Sequence, residues 1–330
     1  MVRLTGRYTL GGGPVAAEDE GMTRSGWRLE RIPLTVLASG AEVALVLHEL
    51  AGARGAGPTL GLSAAIHGDE AVGVEILYRL RERLDPDALR GRVLMLPCAN
   101  PLAYQANSRH TPLDMLNLNR VFPGDPAGWF TERLAELIAR RFLSPLDAYV
   151  DLHSGGAFPT VDYVYVFTDE RLSRSFGSRF LYRPAQPFAG TAAGVVAARG
   201  RPAMVVELGG GDVDQREYVE RGVRGLLDVM RALDMLAGPP APPPAQVVLT
   251  EMATIRPGTG GLLLPEVTEL GRELGPETVL GRVCHPQTFE ELEVIRAPYR
   301  RNVTILVHRT ADVVEPGSYG YMIGNLGTAG

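Results

Sequence analysis

Largely apolar, strand-like runs occupy Ile32–Leu37 and Glu42–Leu50, and Ser39-Gly40 separates them. Two such runs on either side of a turn predict a β-hairpin. From Thr59 the pattern switches between short apolar runs and helical periodicity. It predicts a strand at Leu60–Ile66, a helix at Glu70–Leu84, a strand at Arg92–Pro97, a long loop at Asn100–Gly124 and a helix at Trp129–Phe142. Strands at Tyr149–Leu152 and Val161–Phe167 follow, then a helical stretch near Arg171–Phe180, a strand at Ala203–Leu208 and an amphipathic helix at Arg216–Leu236. Such alternation implies an α/β fold, a mixed or mostly parallel sheet covered by helices.

Gly238-Pro-Pro-Ala-Pro-Pro-Pro244 halts the last helix and is unfit for a sheet interior. It divides the chain into a large first domain (1–238, of which 1–26 reads as a glycine-rich arm), a linker (239–245) and a small all-β domain (246–330). In the last, Val247–Ile255, Gly261–Leu264, Val279–Val283, Glu293–Ile295 and Val303–Val307 are strand candidates. Gly258-Thr-Gly-Gly-Leu-Leu-Leu-Pro265 resembles the hammerhead repeat of biotinyl and lipoyl domains.

Composition narrows the chemistry. All 33 basic residues are arginine. Without lysine the chain cannot form a catalytic Schiff base, a P-loop, or a biotin- or lipoate-bearing swinging arm. A net charge of -5 with interspersed signs lacks the basic face that nucleic acid requires. No segment has the apolar length of a membrane span or a signal peptide, so no membrane partner is expected and the cytoplasm is the expected compartment. Cys98 and Cys284 sit in separate apolar runs, as buried thiols would. Nothing in the sequence excludes or requires a homo-oligomer.

Candidate chemistry begins at His67-Gly-Asp-Glu70, where an apolar run meets a helical pattern. A histidine nitrogen and a carboxylate three residues apart can close on one zinc ion. His153 ends another apolar run before glycine and is the natural third ligand. Open α/β sheets hold their ligands beyond strand ends, where both histidines fall. His48, His110, His285 and His308 have no such setting and are read as structural. Asp151 shares a strand face with His153 and could orient it. Glu207 closes the strand before Gly209-Gly210-Gly211, where a desolvated carboxylate could move a proton from water to a leaving amine. In the long loop, Asn119 and Arg120 suit capture of a substrate carboxylate, and Arg109 suits the oxyanion formed at an attacked carbonyl. The alternative there is a solvated loop with surface-paired arginines.

Taken in order, His67-x-x-Glu70, Asn100-Pro101, Arg109, Asn119-Arg120, His153 and Glu207, followed by the small β region, resemble the succinylglutamate desuccinylase/aspartoacylase family of zinc deacylases, relatives of the zinc carboxypeptidases. The stretch from Thr111-Pro-Leu-Asp114 to Asn117-Leu-Asn-Arg-Val-Phe-Pro-Gly124 is most similar to the bacterial branch that includes N-acetyl-diaminobutyrate deacetylases. The resemblance implies a zinc-carboxypeptidase-like sheet, with one zinc held by His67, Glu70 and His153 and water activated by Glu207. Arg109 would polarise the scissile amide, and Asn119 and Arg120 would bind the carboxylate of the product amino acid. Many relatives carry Asp where this chain has Asn117, whose amide oxygen can accept the same histidine hydrogen bond without the charge. Carboxypeptidase relatives also place a tyrosine over the substrate, and Tyr299, Tyr319 and Tyr321 are the candidates.

The expected activity is hydrolysis of an N-acyl amino acid or similar small carboxylate. A carboxypeptidase acting on short peptides and a non-catalytic carboxylate-binding protein are the alternatives. The β region separates the first two, because closing it over the cleft would exclude long peptides.

Overall fold

The computed structural model describes residues 26–329. The arm read at 1–26 therefore lies almost wholly outside the described residues.

The predicted hairpin is present as β1 (Trp27–Val36) and β2 (Glu42–Ala51), paired antiparallel. Beside β2 lies β4 (Arg92–Leu96), and then β3 (Thr59–Ser63), β5 (Ala148–His153) and β8 (Ala203–Gly209) continue the sheet. The three pairings that link β4, β3, β5 and β8 are parallel. Parallel strands need covered faces. Here α1 (Ala71–Arg83) and α6 (Arg216–Ala232) pack together on one side. On the other lie α3 (Phe130–Ile138), which continues as a π-turn over Ala139–Leu143, and the short α5 (Ala192–Ala197). Alternation along β5 divides its side chains between the two cores: Ala148, Val150 and Leu152 face α1, and Tyr149 faces the opposite side. Asp151 and His153 share that second face by the same period.

Several expectations require correction. The run at Leu60–Ile66 is a strand only to Ser63. Ala64–Ile66 instead forms a bend in which Ala65 takes φ 50, a left-handed conformation costly for a side chain with a Cβ. Backbone bonds from Ala99 N to Ala64 O (3.0 Å) and Asn100 N to Ala65 O (3.0 Å) hold it. The helical stretch near Arg171–Phe180 is α4 (Glu170–Ser175) followed by a strand, β7 (Phe180–Tyr182). Both thiols are only half-buried, and partial burial raises the Cys98 pKa to about 11.

After α6 the run at Val247–Ile255 divides into β9 (Val247–Leu249) and β10 (Met252–Ile255). β9 pairs with β7. β6 (Pro159–Val166) pairs antiparallel with β8 on one edge and with β15 (Asn302–His308) on the other, and β17 (Tyr321–Asn325) and β10 extend the sheet beyond β15. The hammerhead-like segment is a separate sheet in which β11 (Gly261–Pro265) lies between β13 (Val279–Cys284) and β16 (Asp312–Val314), and β14 (Glu291–Arg296) pairs with β13. Leu263, Leu280, Val283 and Ile295 form its core. Among the described residues no helix is long and apolar enough to cross a membrane.

Candidate metal centre and substrate cavity

Three strand ends converge on the site. His67 follows the bend after β3, His153 is the last residue of β5, and Glu207, near the end of β8, is paired in register with His153. Glu70 occupies the position just before α1, with its side chain turned to the histidines and not to the helix N–H groups. Between the ligand candidates, Gly68 packs so closely on the backbone of Ala103, in the short helix α2 (Pro101–Gln105) within the long connection, that a Cβ would lie 1.9 Å from its carbonyl carbon. Only glycine fits the turn there.

His67, Glu70 and His153 are all buried, and one ligating atom from each lies within 4.8 Å of the others. Glu70 stands between the rings, with Oε1 2.7 Å from Nδ1 of His67 and Oε2 2.7 Å from Nδ1 of His153. The outer nitrogens are engaged elsewhere. Nε2 of His67 lies 3.1 Å from Oδ1 of Asn117, and Nε2 of His153 lies 3.1 Å from Oδ2 of Asp151. Asp151 in turn accepts from Ser63 Oγ at 2.6 Å. A carboxylate or amide oxygen on Nε2 leaves the Nδ1 lone pair facing inward, the form a metal ligand requires. Burial disfavours charge on Glu70, but His67 and His153 hold its pKa below the usual range. Burial likewise disfavours charge on His153, yet Asp151 and Glu70 outweigh it and raise its pKa. Two imidazoles and a carboxylate are a donor set suited to zinc, with a fourth position free for water. These residues fit the ion.

The other expected residues border the same cavity. Arg109 places Nη1 3.2 Å from Nδ1 of His67 and 3.5 Å from Glu70 Oε1. Arg120 donates to the Asn119 carbonyl at 2.7 Å and stacks over Phe188, 5.4 Å from the ring centre. Among the described residues no carboxylate pairs with it. The side-chain oxygen of Asn119 accepts from Ala192 N at 3.0 Å, and its Nδ2 lies 3.2 Å from Nε2 of His153, so only that nitrogen can serve a ligand. Glu207 lines the wall, and desolvation pushes its pKa up to about 7 despite the opposing fields of His153 and Arg109.

Of the three tyrosine candidates only Tyr319 reaches the cavity. Its ring lies 5.8 Å from the Arg109 guanidinium and 4.3 Å from that of Arg256, and its carbonyl accepts from Nε2 of buried His308 at 2.9 Å. Tyr321 is buried with its hydroxyl on Leu280 O at 2.6 Å, and Tyr299 packs against the core of the separate small sheet. His48 packs edge-on against Trp27, and His285 caps its own turn by accepting from Gln287 N and Thr288 N. His110 instead lines an outer groove shared with Arg109 and Arg120. Sequence reasoning missed Tyr163, Tyr165 and Phe188. The first two were legible in the alternation of Val161-Asp-Tyr-Val-Tyr-Val-Phe167, whereas Phe188 lies in a loop that carries no pattern.

Fold and side chains together define a class, an α/β protein with a histidine–carboxylate centre of the metallohydrolase type at its strand ends. The chain belongs to the succinylglutamate desuccinylase/aspartoacylase family: residues 56–233 match its catalytic domain. The N-alpha-acetyl-L-2,4-diaminobutyric acid deacetylase of Halomonas elongata is 33% identical over 222 residues, which cover 62% of this chain and 59% of that protein. The chain thus matches less than two thirds of that relative's length. A succinylglutamate desuccinylase from Silicibacter sp. TM1040 superposes with a TM-score of 0.81 at 24% identity, over 96% of this chain and 99% of that one. The product-bound ectoine utilization protein EutE (DoeB) from Ruegeria pomeroyi gives 0.80 at 26% identity, over 96% and 99%.

Proposed function

We propose that this protein is a zinc-dependent deacylase that hydrolyses the amide bond of an N-acyl amino acid or similar small carboxylate. The observation that carries the reading is the meeting, in one cavity, of the His67–Glu70–His153 donor set, Glu207, and two arginines that lack a full complement of carboxylates. The family and the Halomonas deacetylase support it.

His67, Glu70 and His153 would hold one zinc ion, which when bound supplies Lewis acidity toward water and the amide carbonyl. Asp151 and Asn117 orient the two imidazoles. Arg120, with Asn119 Nδ2 beside it, binds the substrate carboxylate. Arg109 stands next to the donor set, where it can donate to the carbonyl oxygen as negative charge develops there. Glu207 takes a proton from the attacking water and returns it to the departing nitrogen, so that acid and amine leave as separate products.

Thr254, Leu306, Tyr319 and Met322, all from the C-terminal third, wall the same cavity. That enclosure favours a small acyl amino acid over a long peptide. Metal analysis with a screen of acetyl, succinyl and longer acyl amino acids tests the reading. About one zinc per chain and release of free amine are expected. Full activity in metal-free protein would overturn the zinc assignment, and cleavage of peptides with no turnover of acyl amino acids would overturn the substrate assignment.

A further inference from the structure

One wall of the cavity is formed by Tyr163, Tyr165, Phe167, Phe188, Leu306 and Met322, of which Phe188 is 58% exposed and stands at the mouth. Val161, Tyr163 and Tyr165 alternate on one face of β6, so the strand itself presents this wall. The aromatic rings are packed on one another: Tyr165 lies 4.7 Å from Phe167 and stacks on Phe188 at 5.6 Å. The Tyr165 hydroxyl accepts from Phe188 N at 3.1 Å, which ties the ring to the loop. Phe188 also carries the Arg120 guanidinium over its ring, which joins the aromatic wall to the proposed carboxylate anchor.

Charge is absent where a polar side chain would need it. Among the described residues lining this cavity the carboxylates are Glu70, held by both imidazoles, and Glu207 beside His153; the arginines are Arg109 and Arg120. Each already has a part in the proposed reaction. A side-chain ammonium would find no spare carboxylate, and a second carboxylate no spare guanidinium. Burial of either without a partner is costly.

We propose that the leaving amino acid carries a bulky apolar side chain, a phenyl ring or a branched alkyl group, seated against the Tyr165–Phe188 wall while Arg120 holds its carboxylate. This rests on the deacylase reading for the reaction, but the pocket can be judged without turnover. The zinc-loaded full chain is titrated with free L-phenylalanine, L-aspartate and L-2,4-diaminobutyrate by calorimetry, and kcat/KM is measured for their N-acetyl derivatives.

L-Phenylalanine is expected to bind at least roughly tenfold more tightly than the other two, within the range that apolar pockets discriminate. Equal or tighter binding of either polar amino acid, or no measurable binding of phenylalanine, overturns the proposal. Absence of turnover for every N-acetyl derivative with the binding order intact would sink the deacylase reading and leave the pocket assignment standing. Phe188→Ser, at a loop position, is expected to reduce the ratio of phenylalanine to alanine affinity by about tenfold. An equal loss for both amino acids would show that Phe188 acts only in folding, and would overturn its place in the pocket.

Discussion

Asp151 and His153 lie two residues apart on one face of β5, and Oδ2 of the first, 3.1 Å from Nε2 of the second, fixes which imidazole nitrogen faces Glu70. Removing that carboxylate frees the ring to rotate and to change tautomer. Asp151→Ala should therefore weaken zinc binding by roughly 10–100-fold, the usual cost of losing a histidine's hydrogen-bond partner. Competition with a chromogenic chelator measures it, and an affinity equal to that of the parent chain would remove Asp151 from the centre.

Asn117 plays the corresponding part for His67 with a neutral oxygen at 3.1 Å, while also accepting from Asn119 N at 2.9 Å. Asn117→Asp keeps the geometry and adds charge, which raises the basicity of the ligand. Zinc should be held more tightly, by up to about tenfold. Weaker zinc binding in this variant would show that the amide matters to the loop more than to the metal.

Glu207 and the two arginines should fail in different ways. Glu207→Gln should retain zinc and lower kcat at least about a hundredfold, as for a lost proton-transfer group. Arg109→Ala should also lower kcat, roughly 100–1000-fold, because its partner charge exists only in the transition state. Arg120→Ala should chiefly raise KM for carboxylate-bearing substrates, since that charge is present before reaction. Steady-state kinetics with zinc content on the three variants separates these outcomes. Near-normal turnover in Glu207→Gln or an unchanged KM in Arg120→Ala would each refute the corresponding role.

His48 governs part of the acid stability. Burial, and then the charge of Arg81, lower its pKa from 6.5 to about 4, and its Nδ1 has no hydrogen-bond partner among the described residues. Below pH 6.5 the unfolded chain takes up a proton that the native chain refuses, so stability falls as pH drops from 6.5 towards 4 and this contribution then levels off. His48→Gln should flatten that part of the profile. Urea midpoints at pH 7 and pH 4.5 provide the check; an identical drop in both proteins would exclude His48 as a source.

The legible part of the site was the part written in short-range pattern. His67 and Glu70 are three residues apart, and His153 and Glu207 each end an apolar run before glycine, so strand ends and chemistry coincided in sequence. Parallel pairing of β3, β5 and β8 then brings those ends together. What stayed hidden depends on distant partners. β7 is a strand because β6 and β9 flank it, whereas Arg171–Phe180 on its own has helical periodicity. α5 is only six residues long and contains Gly194, so it has too little period to read, and Thr191 starts it by accepting from Gly194 N at 3.0 Å. Among the tyrosines, sequence could not separate Tyr319 from Tyr321. They lie two residues apart, yet one faces the cavity and the other the core of the small sheet.

The pairing of β6 with β15 also bears on how the chain matures during synthesis. Residues 302–308 leave the ribosome long after 159–166, so the nascent chain leaves the Pro159–Val161 part of one β6 edge open, beyond the part that β7 pairs, while more than a hundred residues are added. An unpaired strand edge invites pairing with other chains. The candidate donor residues all precede Gly209, but the wall formed by Leu306, Tyr319 and Met322 is made about a hundred residues later. A nascent chain can therefore own the candidate ligands before it owns a pocket, and closing the sheet is the event that turns one into the other.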